Sequence, residues 1–121
     1  MFEHEVRFYR ELCGGTGAEH SARVFARADA ARVEIFARRC TPKKRVYSGG
    51  ALGETPQYDP RAERVDDVAE ESARRTVVHT TTSGVFSQRR RYVLSRRGDS
   101  WLVDNVQIYD DFKGAWVRGI L

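Results

Sequence analysis

Cysteine, proline and methionine are scarce in this 121-residue chain: two, three and one. A small secreted domain held by disulfides usually carries four or more cysteines. Cys13 and Cys40 are therefore expected as two reduced, partly buried thiols. Two thiols do not complete a four-coordinate zinc site, and His4, His20 and His79 stand at no ligand spacing from them. No metal and no cofactor is expected. No run approaches the roughly 20 apolar residues of a membrane helix. The opening Met1-Phe2-Glu3-His4-Glu5 lacks the basic-then-apolar order of a secretory signal. The expectation is a soluble protein kept in the cytoplasm, away from membranes. Internal repeats, low-complexity segments and catalytic signatures are also missing.

What remains suits one domain over residues 1–121. The chain is 40% hydrophobic, with 21 basic and 17 acidic side chains and a net charge of +4. Near-cancelling charge and ample aromatics argue against disorder. The charge is unevenly spread. Arg38, Arg39, Lys43, Lys44 and Arg45 fall within eight residues, and Arg89, Arg90, Arg91, Arg96 and Arg97 form a second cluster. Between them, residues 54–71 hold seven acidic and two basic side chains. Such patches steer a charged partner or are simply solvated faces. Nucleic-acid recognition calls for aromatics interleaved with a basic stripe. Tyr92 beside Arg91 is too little, so direct nucleic-acid binding is not expected.

Phe2, Val6, Tyr9 and Leu12 or Cys13 recur at helical spacing until Gly14-Gly15 stop them. Thr16 and Glu19 have the form of a capping box. The Ala-rich run that follows, to about Arg39, carries an apolar stripe of Val24, Ala28, Ala31 and Ile35, flanked by Phe25 and Phe36. Asp29 in mid-run marks a bend in this helix or a break into two helices. A strand over Arg32–Ala37 competes with the helix. The helix must end before Pro42. Residues 41–60, punctuated by Pro42, Gly49-Gly50, Gly53, Pro56 and Pro60, read as a long loop. Asp59-Pro60 then resembles a helix start and predicts a short helix over 61–69.

From about residue 72 the period becomes two. A strand runs through Arg75–Thr81, a second through Arg89–Arg96 and a third through Trp101–Tyr109, with Gly98-Asp99 as a hairpin turn. Residues 116–121 form a fourth strand or a tail on the sheet. The order predicts an α+β fold, with N-terminal helices packed on a curved antiparallel sheet. Such a sheet would bury Phe25, Ile35, Phe36, Tyr92, Leu94 and Trp101 together.

The matching stretches Glu34-Ile35-Phe36-Ala37 to Arg45, Thr55 to Pro60, Arg75 to Thr80, Arg91-Tyr92-Val93-Leu94, Trp101-Leu102-Val103-Asp104 and Trp116 to Leu121 occur in a shared order. In that order the chain resembles the small bacterial immunity proteins of the nuclear-transport-factor-2-like cone fold, encoded beside polymorphic toxins. The likeness runs from about residue 31 onward. The first 30 residues are short for the usual two-helix entry.

The resemblance implies a binder that neutralises a cognate toxin domain by occluding its active site. The partner-binding candidates are Arg45, Tyr47, Tyr58, Asp59, Glu63, Asp66 and Asp67. Tyr47 and Tyr58 flank the long loop as interface aromatics or fold back on the core. Arg45 contacts the partner or merely favours a helix C-terminus. The acidic segment suits a basic nuclease site, and the arginine clusters suit an acidic toxin surface. The alternative is an isomerase, cyclase or hydrolase of the same fold. Its pocket would hold His79, Tyr92, Trp101 and Asp104, with His79 as base oriented by Asp104. Both residues have plainer readings, as a strand histidine and a rim carboxylate. A homodimer through the outer sheet face, using Trp116 and Ile120, is the third reading.

Overall fold

A computed structural model describes residues 2–44, 58–84 and 87–120. Two helices lead: α1 (Phe2–Cys13) and α2 (Ala18–Arg39). Five strands follow: β1 (Glu63–Ser72), β2 (Arg75–Thr82), β3 (Arg89–Arg97), β4 (Ser100–Asp110) and β5 (Ala115–Arg118). They form one antiparallel sheet in sequence order, β1-β2-β3-β4-β5, on which the helices pack. The α+β expectation is met.

Helix α1 closes on Gly14, whose amide returns to the carbonyls of Arg10 and Glu11 at 3.1 and 3.2 Å. The next turn is tight. A Cβ on Gly15 would sit 2.6 Å from the His20 ring, which itself donates to the Glu11 carbonyl at 3.0 Å. A histidine of α2 thereby satisfies a terminal carbonyl of α1. The capping box does not form. Gly17 is the N-cap of α2, with no side-chain cap bond, and Thr16 lies outside the helix. Glu19 still occupies the first turn, where an acid suits the helix dipole.

The long helix is unbroken at Asp29, which faces outward and pairs with Arg32 one turn on at 3.0 Å. The strand reading of 32–37 also fails: these residues lie within α2, where neighbours Val33 and Glu34 are both exposed and Ile35 and Phe36 both turn inward, which is not an alternating pattern. Val24 and Ala28 meet Phe8 of α1 in a small core, with Leu12 and Ala31 around it.

Past Arg39 the chain becomes extended and enters the sheet. Cys40 bridges Val103 in parallel, and the Thr41 amide donates to the Val103 carbonyl at 2.9 Å. The Thr41 hydroxyl and Lys43 then reach the Asp104 carboxylate at 2.7 and 3.1 Å. Asp104 lies where the β3–β4 register slips opposite Val93 and Leu94. The bulge aims this carboxylate at the strand's new neighbour.

The short helix expected over 61–69 is strand β1 instead. Asp59 does start a turn, accepting the Arg61 amide at 2.9 Å on its side chain and the Ala62 amide at 3.0 Å on its carbonyl. Pairing with β2 then supplies the ladder bonds that a helix would have made internally. Val65 and Val68 add β-branched preference. Two slips, between Val65 and Asp67 and between Glu70 and Ser72, break its alternation.

The remaining strands lie close to their expected places. Gly98, at φ +61°, and Asp99 turn β3 into β4. Of the expected strand or tail over 116–121, the described part serves in both ways: β5 pairs with β4, and then the Gly119 amide donates to the Val106 carbonyl at 2.9 Å. A Cβ on Gly119 would meet Val106 Cγ1 at 3.1 Å, so the tail lies flat on the sheet.

The expected joint core of six side chains is not present. Phe36 is buried, but Phe25 and Trp101 are 37% and 42% exposed. The buried residues of the sheet are instead Val77, Val93 and Val106 with Thr76, Thr80 and Arg90. The helix pair thus relies on its own small apolar contact. Phe8→Ala is expected to cost about 3–5 kcal/mol, read as a lower midpoint in urea unfolding followed by helical circular dichroism.

Candidate partner interface

Strand register assigns alternate residues to opposite faces. His79, Arg91, Gln107 and Arg118 stand in one row across β2 to β5, and Thr80, Arg90, Ile108 and Val117 in the next. Neighbouring rows point to opposite sides.

The side bearing Arg90 holds a buried polar knot. Glu63 accepts from the Thr80 hydroxyl at 2.6 Å, the Tyr92 hydroxyl at 2.7 Å and the Arg90 guanidinium at 3.2 Å. Both ionic side chains are inside, 10% and 5% exposed. Arg90 also donates to Gln88 at 3.0 Å and lies over the Tyr58 ring at 4.5 Å. Tyr58 meets Tyr92 edge-on and donates to the Ile120 carbonyl at 2.5 Å, which ties the C-terminal tail into the knot. Burial, then the bond to the Glu63 carboxylate, holds the Tyr92 phenol above its ordinary pKa.

The opposite side carries an arginine–aromatic ladder. Arg89 stacks on Tyr109 at 3.9 Å and Arg91 on Trp116 at 4.6 Å. Tyr109 and Trp116 meet edge-on at 5.3 Å, and Arg91 also donates to Gln107. The rings of His79 and Trp116 approach to 5.7 Å although β3 and β4 separate their strands. A flat sheet would hold those strands about 14 Å apart. The sheet must curl toward this side for the two rings to meet.

The sequence-derived candidates scatter over these features. Glu63 is turned inward and is not offered to a partner, and Tyr58 packs on the same knot. Asp59 serves its own turn and pairs with Arg61 at 3.4 Å. Asp66 accepts from Thr81 and, at 2.8 Å, from Arg64. The Thr81 hydroxyl, then the Arg64 guanidinium, hold its carboxyl below the usual aspartate range. Asp67 is exposed on β1, beside the exposed Val65 and Val68. Arg45 and Tyr47 lie outside the described residues.

The four pocket candidates do not converge. His79 and Tyr92 point to opposite faces, and Trp101 is exposed near the hairpin end of β4. His79 packs on Trp116 and is not bonded to Asp104, which is held by Thr41 and Lys43. Two open clefts, between Arg61–Arg64 and Thr81–Ser83 and at Ala73–Arg74 with Arg96–Gly98, are lined by none of the four. No cluster of histidine, cysteine and carboxylates suited to a metal occurs among the described residues. No helix among them is long and apolar enough to cross a membrane.

The ladder was not among the features expected from the sequence. Its signal was the alternation Arg89–Arg91 against Tyr109 and Trp116, hidden because Arg90 made the run look like one basic cluster.

Two N-terminal helices on a curved antiparallel meander define the nuclear-transport-factor-2-like class of α+β proteins. The model of the NTF2 fold immunity protein family matches residues 4–119, and the chain belongs to that family. The match takes in α1 and most of the first 30 residues, where the sequence resemblance was thin. Its role is that of an immunity protein, with a toxin as partner. Comparison with curated proteins and with solved structures gave no match.

Removing one partner of the buried knot leaves the other charge uncompensated. Glu63→Ala is expected to destabilise the fold by about 3–5 kcal/mol, measured by chemical denaturation. Thr81→Val removes the first support of the lowered Asp66 pKa. Carbon NMR titration should then show the Asp66 pKa moving up toward the ordinary aspartate range. A depressed carboxylate stabilises the fold above its unfolded pKa and loses that contribution as pH falls through the folded one. The acid-induced loss should accordingly shrink in the variant.

Proposed function

We propose that this protein neutralises one cognate toxin domain by binding over its active site or substrate channel, without catalysis. The family match over residues 4–119 carries this reading. Occlusion needs only surface complementarity, a few anchoring side chains and a rigid frame. The sheet supplies the frame, because β1 is pinned to β3 through Glu63 and Arg90.

Of the partner-binding residues inferred from sequence, Asp67 and its neighbour Asp66 remain on the surface of β1, next to Val65 and Val68. We assign this acidic edge a contact with a basic region of the toxin; Arg45 and Tyr47 are further contacts that the sequence alone suggests. The protein acts in the cytoplasm of the cell it protects. Two free thiols, one of them exposed, fit that reducing compartment. An enzymatic reading required His79 and Asp104 to meet, and their separate partners give it no support.

Co-expression with the toxin domain encoded beside it tests the proposal. Growth should be rescued, and the two chains should elute together in size-exclusion chromatography. Absence of both rescue and complex would overturn it.

A further inference from the structure

We infer that the curled sheet face carrying Arg89, Arg91, Arg118, Tyr109 and Trp116 is a toxin-docking surface, and that it receives an acidic protein surface. The inference rests on the immunity reading and specifies a contact that reading leaves open. Arg, Trp and Tyr are the residue types that dominate binding energy at protein interfaces. Here they are already organised. Two guanidiniums are stacked on aromatic rings, at 3.9 and 4.6 Å, before any partner arrives. Such stacking fixes the planar fork and leaves its edges to bind carboxylates.

The cations are also short of counter-charge. Among the described residues Arg91 has Gln107 and Trp116 as its neighbours and no carboxylate, and Arg118 has no ionic partner. Arg89 reaches one carboxylate among the described residues, Asp111, at 4.0 Å and 83% exposed. Beyond the Tyr109–Trp116 pair, the β4–β5 turn holds up Phe112, fully exposed. An aromatic anchor thus borders a triad of arginines.

Charge at the margins chooses the occupant. The patch is bounded by Asp66 and Asp67 of β1 on one side and by Asp111 of the β4–β5 turn on the other. A nucleic acid carries its charge continuously along the backbone and would run into these acids. A protein surface presenting a few carboxylates, with basic groups around them, fits both the arginines and their borders.

The test uses the full-length protein and a catalytically inactive form of the adjacent toxin domain. Arg89→Glu/Arg118→Glu alters two exposed side chains, and Phe112→Ala alters one that touches nothing. All should keep the wild-type unfolding midpoint. Titration calorimetry should show affinity lost by about 30-fold or more in the double variant, and clearly reduced in Phe112→Ala. Arg89→Lys/Arg118→Lys should recover part of the loss. Unchanged affinity in the charge-reversed variant, with growth still protected, would overturn the docking surface and leave the immunity reading standing. Failure of the unsubstituted protein to bind or protect would overturn both. Salt-dependent binding of a 20-nucleotide single strand, abolished by Arg89→Glu/Arg118→Glu, would overturn the acidic-protein occupant.

Discussion

The ion pair between Glu63 and Arg90 holds the sheet to one shape. Glu63 starts the edge strand β1, and Arg90 lies two strands inward, on β3. Their contact passes over β2, where Thr80 supplies a third bond. An edge strand joined by ladder bonds alone frays readily; this one is also pinned at its first residue. Such a pair need not make the protein more stable than apolar residues would. Its geometric effect is plain, however. Two charges far from solvent tolerate only arrangements that keep them together, so the register of three strands is fixed at one point. Tyr58 and the C-terminal tail fasten onto the same point.

A second constraint joins the layers. The helices share a small apolar contact of their own, and the direct tie between α2 and the sheet lies at Cys40 and Thr41. The β4 bulge turns Asp104 toward Thr41 and Lys43 there. The carboxylate that suggested acid–base chemistry is therefore a fastening between the long helix and the sheet. Its fixed partners explain why it does not meet His79.

The helices, the hairpin at Gly98 and the three central strands were legible because each has one dominant signal: a 3.6-residue stripe, a Gly-Asp turn or strict alternation. Strand β1 was not. Its residues ERVDDVAEES have two bulges that disturb the period, and Asp59-Pro60 ahead of them imitates a helix start. Only the partner strand decides the matter, and pairing is invisible in local pattern. Glu63 was misread for the same reason: an acid in an acidic segment looks solvent-facing until the strand beside it supplies Arg90. The interior was overestimated from hydrophobic size. Phe25 and Trp101 remain partly in water, while threonines and an arginine fill the sheet. The family was legible from the order of weak stretches, although no single stretch would have served.

Three consecutive arginines on β3 divide their work by parity. Arg90 faces the interior knot, while Arg89 and Arg91 face the stacked rings on the other side. Insertion or deletion of one residue ahead of the strand would exchange the two sets and cost both at once. Point changes at the odd positions leave the even ones untouched. A lineage under pressure to match a changing adversary can therefore rewrite its outward alphabet along this strand while the inward one stays frozen.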